Sequence, residues 1–423
     1  MPDYRELWKT LGVDLEKHDL LCAALPGLYE NTYLSQNVRP EAMNYFNLVV
    51  AEIHGLRIQE LADYRAGGGK VFGTFCVFVP DEIILAAKGI GIGLCGGSQF
   101  WVPEGEKVLP RALCPLIKAS VGAAVSRTCP YFLSCDLLVG ETTCDGKKKA
   151  WEILEEFAPV YVMNLPQMKR DKDVADWKEE IKAFLNKVEE ITGNKVTAEA
   201  LARAIQLTNR RRQVLMRLYE ARKADPVPIS GKDALLVSQI AFYDDPQRFI
   251  AKTTELCAEI EEWARQGKGV FPAGTPRILV TGTPMAIPNW KLHHIIETSG
   301  AVVVCEETCT GTRYFEHLVP EGASTLEGQI ESLAERYLKI NCACFTPNTG
   351  RVKDILRLAS EFRVDGVVYY NLPFCHTYNV EYRMVEKALK EAGIPVLQIE
   401  TDYGEEDLGQ VRNRVEAFIE MLK

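Results

Sequence analysis

The segment KVFGTFCVFVPDEIILAAKGIGIGLCGG, residues 70–97, holds two short apolar runs, VFGTF and GIGIGL, that end at Cys76 and Cys95. Between them DEIILAAK has helical spacing and follows Pro80. Strands joined by a crossover helix form a parallel sheet, whose strands are apolar throughout because both faces are covered. The rhythm continues outward with CPLIKASVGAAV (114–125), DLLVGETTC (136–144), KKKAWEILEEF (147–157) and PVYVMNLP (159–166). It returns in RILVTGTP (277–284), AVVVCEETC (301–309), INCACFTP (340–347), VDGVVYYNLPFC (364–375) and IPVLQIETD (394–402), again alternating with helical stretches. The chain therefore reads as α/β, with parallel-sheet domains over 66–166 and 271–423. Residues 167–270 read as a charged, all-helical connector with one Pro-rich break at DPVPISG. Residues 1–65 carry helical spacing and form an N-terminal helical cap on the first domain.

Bulk quantities agree with two cores, since 423 residues exceed what one ordinary core supports. A content of 47% hydrophobic and 25% charged residues is that of a folded protein. A net charge of −9 leaves no basic field for phosphate backbones, so nucleic acid is excluded as a partner. The first twenty residues mix both charge signs without an apolar core, and Lys88 interrupts the best apolar run short of a bilayer span. The expectation is a cytoplasmic protein with no membrane partner.

Thirteen cysteines then need an intracellular explanation other than a disulfide framework. There is no Cys-x-x-Cys knuckle, the closest pairs being Cys305 with Cys309 and Cys342 with Cys344, which argues against structural zinc. Cys22 and Cys257 fall on helical apolar patterns and read as core residues. Ligands of open parallel sheets gather at the carboxyl ends of the strands, and this sorts the others. Cys76, Cys95 and Cys144 close strands of the first domain, and Cys309 and Cys375 close strands of the second. Cys305, Cys342 and Cys344 lie within or just at the end of a strand. Cys114 precedes Pro115 and a helix, so it reaches the same edge with the positive end of the helix dipole behind it. Cys129 and Cys135 follow that helix and belong to the opposite edge, roughly 15–20 Å away. A cleft lined by thiolates from both domains suits iron–sulfur chemistry. A cubane held by only three cysteines leaves one iron free for a substrate or a bridging atom.

ALCPLIK (112–118), CDGKKK (144–149), the NRRR helix (209–212) and DGVVYYNLPFC (365–375) together resemble the 2-hydroxyacyl-CoA dehydratase family, from about residue 20 to the C-terminus. The resemblance implies two Rossmann-like domains holding an oxygen-sensitive cluster, with three cysteine ligands that fall by motif on Cys114, Cys144 and Cys375. Cys76, Cys95, Cys309 and the Cys342/Cys344 pair, within GTFCVFVP, GLCGG, EETCTGTR and NCACFTPN, depart from the heterodimeric dehydratases and resemble the double-cubane cluster proteins. That branch implies a homodimer with two cubanes joined by a bridging sulfide, an [8Fe-9S] cluster, each cubane held by three cysteines. It also implies a separate ATP-hydrolysing iron–sulfur reductase as electron donor. The second trio comes from the extra cysteines, led by Cys76 and Cys309, with Cys95, Cys342 and Cys344 as alternatives for the third place.

Other motifs weigh less. Gly91, Gly93 and Gly96 fit G-x-G-x-x-G, but they close a strand that is not the first of its domain, and Gly97 and Trp101 do not open a helix. These glycines are expected to let backbone approach the cluster. No G-x-x-x-x-G-K-[ST] loop occurs, so ATP hydrolysis would belong to another chain. Arg210, Arg211 and Arg212 read as a solvated, ion-paired helix face. His293 and His294 point about 100° apart, so they cannot chelate one ion from the same face. His376 follows a ligand candidate and could bond a cluster sulfur or donate a proton to substrate. Lys147, Lys148 and Lys149 could offset cluster charge, with at most one or two facing it. Three functions follow: a low-potential reductase of small molecules using a double cubane, a [4Fe-4S] 2-hydroxyacyl-CoA dehydratase subunit, or a non-catalytic electron-transfer protein. The first accounts for the extra cysteines.

Overall fold

Parallel strands are joined only through crossovers, and here two sets of four strands use the same winding. The computed structural model describes residues 4–423. The first sheet holds β1 (Lys70–Thr74), β2 (Gly89–Gly93), β3 (Leu137–Glu141) and β4 (Val160–Met163) in the order β2-β1-β3-β4. The second holds β5 (Arg277–Gly282), β6 (Val302–Glu307), β7 (Gly366–Asn371) and β8 (Val396–Glu400) in the order β6-β5-β7-β8. All pairings are parallel, as between Val71 and Ile90 or Ile278 and Gly366. β3, β5, β6 and β7 are buried along their whole length, which accounts for their unbroken apolar runs, whereas the outer strands β4 and β8 are partly open. In each sheet the winding reverses beside the first strand, at a crevice outside the carboxyl ends.

The crossover helix Pro115–Val125 is apolar nearly all round because it is sandwiched rather than laid on a surface. Its tightest neighbour is met at Gly122, where a Cβ would fall 1.9 Å from the Trp101 carbonyl oxygen. The N-terminal helices Arg5–Leu11, Leu15–Tyr29, Met43–Ala51 and Leu56–Ala66 precede the first sheet. Four helices, Asp171–Thr192, Ala198–Ala221, Gly231–Ile240 and Pro246–Arg265, lie in sequence between the sheets. Among the described residues no helix is long and apolar enough to cross a membrane.

The Ala198–Ala221 helix binds both halves and overturns the solvated reading of the arginine run. Only Arg210 is exposed; Arg211 and Arg212 are 5% and 1% exposed and pair with Asp81 and Glu82 at 2.5 and 2.6 Å. Arg212 faces inward because helical periodicity aligns it with Thr208 and Leu215, both buried. Burial alone would raise the Glu82 carboxyl, but Arg212 and Arg336 hold it down at about 2. Toward the second domain, Asn209 exchanges hydrogen bonds with the Val319 backbone, and Arg222, just past the helix, pairs with Glu306 at 2.7 Å. Buried charges persist only when paired in this way.

Two further expectations differ from the structure. INCACFTP is not a strand: after the Leu326–Leu338 helix the chain turns, with the Phe345 backbone amide and the Asn348 side-chain amide both donating to the Cys342 carbonyl. Its apolar character reflects burial in the cleft, not a place in a sheet. After Gly97 the chain does become helical, in a 3₁₀ turn at Gln99–Trp101 and one α-turn at Val102–Gly105. Close protein neighbours also require two of the glycines here, since a Cβ on Gly97 would lie 2.1 Å from the Ala286 carbonyl oxygen and one on Gly93 2.9 Å from Phe242.

Candidate metal centre

The carboxyl ends of both sheets open on one cavity of about 400 Å³. Eight of the thirteen cysteines line it: Cys76, Cys95, Cys114, Cys144, Cys309, Cys342, Cys344 and Cys375. The repeated topology explains why. Cys95 follows β2 as Cys309 follows β6, and Cys144 follows β3 as Cys375 follows β7. Cys114 begins the helix leading to β3, and Cys342 and Cys344 precede the Thr349–Glu361 helix leading to β7. The other five cysteines lie outside this lining. Cys257 and Cys305 are fully buried in a helix and in β6, and Cys129 and Cys135 flank the short Pro130–Leu133 helix ahead of β3. Cys22 is only partly buried and lies against His18, so it is not the core filler its pattern suggested.

Within the cavity the thiols fall into two groups. Cys114, Cys144 and Cys375 each stand at the N-cap of a helix, Pro115–Val125, Asp145–Leu154 and His376–Glu391. Free backbone N–H groups and the helix dipole favour thiolate there. The Cys375 thiol donates to Cys114, and the Leu116 and Ile117 amides add to this, so Cys114 is lowered from the ordinary thiol range against its burial. Burial raises Cys144, while the Lys147 amide and ammonium oppose the rise. Phe374 delivers Cys375 from a left-handed conformation, φ 60°, and lines the cavity at 45% exposure. A non-glycine residue holds that conformation only where its surroundings impose it.

The second group, Cys76, Cys309, Cys342 and Cys344 with Cys95 beside it, meets side-chain donors instead. Arg313 Nη1 donates to Cys309 Sγ at 3.5 Å, and the Tyr378 hydroxyl lies 3.5 Å from Cys342 Sγ and accepts from Arg313. Arg313 is anchored by Glu307 at 2.6 Å, which also accepts from Arg351 at 3.1 Å. The hydrogen bond from Cys344 and the Arg313 charge lower Cys342 well below the usual range, overcoming burial. Burial raises Cys76 well above it. Cys95 donates to the Phe75 carbonyl at 3.0 Å and is pushed up to about 12 by burial.

Lys147 stands between the groups. Its ammonium pairs with the buried Glu141 and donates to the Phe75 carbonyl at 3.2 Å. Burial works against that charge, but the Glu141 carboxylate beside it holds Lys147 well above the ordinary lysine range. Lys148 and Lys149 instead pair with Asp145 and Glu152 on the outer helix face. His376 is exposed at the cavity's edge. His293 is buried against Glu306 at 2.9 Å, and neither it nor His294 lines the cavity. Sequence reading missed Arg313, Tyr378, Glu141 and Glu307. Sequence proximity could have flagged them: Glu307 and Arg313 lie two before and four past Cys309, Tyr378 three past Cys375 and Glu141 three before Cys144.

The fold is that of a Rossmann-like α/β protein with two four-stranded parallel sheets, and a thiol-lined cavity opens at their carboxyl ends. Residues 76–422 match the 2-hydroxyglutaryl-CoA dehydratase, D-component family, and the chain belongs to it. It is 41% identical to YjiM of Escherichia coli (strain K12), which carries the name of a dehydratase subunit, over 85% of this chain and 93% of that one. It is 26% identical to the (R)-phenyllactyl-CoA dehydratase beta subunit of Clostridium sporogenes, covering 84% and 92%. Identity is 23% to the (R)-2-hydroxyglutaryl-CoA dehydratase subunit beta of Acidaminococcus fermentans, covering 86% and 95%.

Proposed function

We propose that this chain is a low-potential reductase of small molecules that holds a double-cubane [8Fe-9S] cluster and receives electrons from a separate ATP-hydrolysing iron–sulfur reductase. The observation that carries the reading is the gathering of eight cysteines, from both sheets, around a single cavity. The donor set fits the group: soft sulfur ligands in numbers beyond one cubane. Cys114, Cys144 and Cys375 would hold one half, and Cys76, Cys309 and Cys342 the other. Cys342 is preferred to Cys95 and Cys344 because Arg313 and Tyr378 favour its thiolate, whereas Cys95 spends its proton on the Phe75 carbonyl. When bound, the cluster supplies electrons at low potential and an iron position without a protein ligand.

The chain's own residues do the rest. Lys147 and Arg313, each tied to a buried carboxylate, would place donors beside the thiolates, whose charge the iron would chiefly balance. Phe75, Val77, Leu113, Ile287 and Phe374 line the cavity and limit water. His376, at its edge, donates the proton that a reduced substrate takes up. The reading gives ATP hydrolysis to a partner, in keeping with a chain that has no G-x-x-x-x-G-K-[ST] loop. The relatives' names favour a second reading, a single-cubane dehydratase subunit acting on a 2-hydroxyacyl-CoA. Anaerobic assays with small multiply bonded substrates and with 2-hydroxyacyl-CoA, leaving out ATP and reductase in turn, separate the two. Reduction that requires both supports the proposal; full activity without ATP, or turnover of the thioester alone, contradicts it.

A further inference from the structure

We propose that His18, Cys22 and His54 form a second metal site, remote in sequence from the thiol-lined cleft, that takes a single divalent ion of the zinc type. His18 and Cys22 are one turn apart on the Leu15–Tyr29 helix and share a face, and His54 lies in the turn after the Met43–Ala51 helix. His18 Nε2 is 2.9 Å from His54 Nδ1, and Cys22 Sγ is 3.6 Å from His18 Nε2. One donor atom from each residue lies within 4.8 Å of the others. Tetrahedral zinc, with bonds of about 2.0–2.1 Å to nitrogen and about 2.3 Å to sulfur, separates its ligand atoms by roughly 3.3–3.6 Å. The site therefore needs the imidazoles to part slightly and the thiol to close on His54.

The donor chemistry selects the ion. Two imidazoles and a thiol, with no oxygen among them, suit zinc and not calcium or magnesium. Both rings are preorganised, since Trp8 lies over His18 at 4.3 Å between ring centroids and its indole N–H donates to the His54 carbonyl at 2.7 Å. Burial keeps His18 and His54 neutral, at about 4 and about 3, which is the ligating form. Cys22, pushed up to about 11 by burial, would release its proton on binding. A neutral imidazole pair sharing one hydrogen bond explains the contact between the rings. The Cys22 thiol, one helical turn on, lies against both His18 nitrogens at 3.6 and 3.7 Å and completes the donor set. Cys22 and His54 are partly open, so water can fill the fourth position. All three residues precede residue 76, where the family match begins, and the proposal does not rest on the reading of the cleft. A bound ion would clamp the Leu15–Tyr29 helix to the turn at His54.

The test uses the full chain, purified anaerobically with its iron, dialysed against a zinc buffer and analysed for both metals. The expected result is about one zinc per chain in the native protein and almost none in Cys22→Ser and His54→Ala, with iron unchanged in all three. Zinc-edge X-ray absorption should show three nitrogen or oxygen neighbours and one sulfur. A native chain that retains no zinc, zinc that persists in both variants, or an all-sulfur shell overturns the site. If a variant fails to fold, the coordination shell of the native protein decides.

Discussion

The two thiol groups of the cleft achieve the same end by different means. Around Cys114, Cys144 and Cys375 the favourable charge comes from three helix N-termini, fixed by the backbone. Around Cys309 and Cys342 it comes from Arg313 and Tyr378, held by a buried Glu307–Arg351 network. Backbone donors cannot be removed without dismantling a helix, whereas a guanidinium can be exchanged by one substitution. The first group is therefore built for a constant setting and the second for one that evolution, or an experimenter, can tune.

The largest expected effect lies at the first group, where the helix that carries Cys375 also begins with His376. His376→Ala should leave the iron content unchanged and slow the proton-dependent step by about 10²–10⁴-fold, read as turnover at saturating reductase. An unchanged rate would reduce that histidine to an exposed residue at a helix start.

Next comes the spine that keeps the two groups facing each other. Glu82→Gln leaves Arg212 buried without its counter-charge and should destabilise the fold by about 3–5 kcal/mol in denaturant titrations. Because the folded Glu82 carboxyl is lowered to about 2, its contribution is fully present above the unfolded value, near 4.3. It is lost as pH falls from there through about 2. The native protein should weaken over that window more than the variant does; parallel acid profiles would show that the pair is not structural.

The smallest effect tunes the second group alone. Arg313→Gln removes a charged donor to Cys309 and should lower the reduction potential associated with that group by about 60–130 mV. That range converts about 1.5–3 kcal/mol for a hydrogen bond to a charged group. Iron content should hold. A shift in both halves equally, or in neither, would erase the contrast between the groups.

Much of this was legible in the sequence, for physical reasons that also mark the limit. β1, β3, β5, β6 and β7 declare themselves because apolar runs buried on both faces have one structural explanation, and the strand-end positions of Cys76, Cys95, Cys144, Cys309 and Cys375 follow from topology. INCACFTP misled because cleft lining and sheet interior impose the same apolar pattern. Arg211 and Arg212 misled because composition cannot show that Asp81 and Glu82, 130 residues away in sequence, arrive as partners. The His18–His54 contact is hidden for the same reason: it joins a helix to a turn 36 residues away in sequence.

Counting iron and acid-labile sulfide per chain in anaerobically purified protein tests the central claim most directly. Two thiol groups filled as proposed give about eight irons and about nine sulfides per chain. A value near four irons, with Cys76, Cys309 and Cys342 still open to alkylation, would contradict the account and leave a single cubane on Cys114, Cys144 and Cys375.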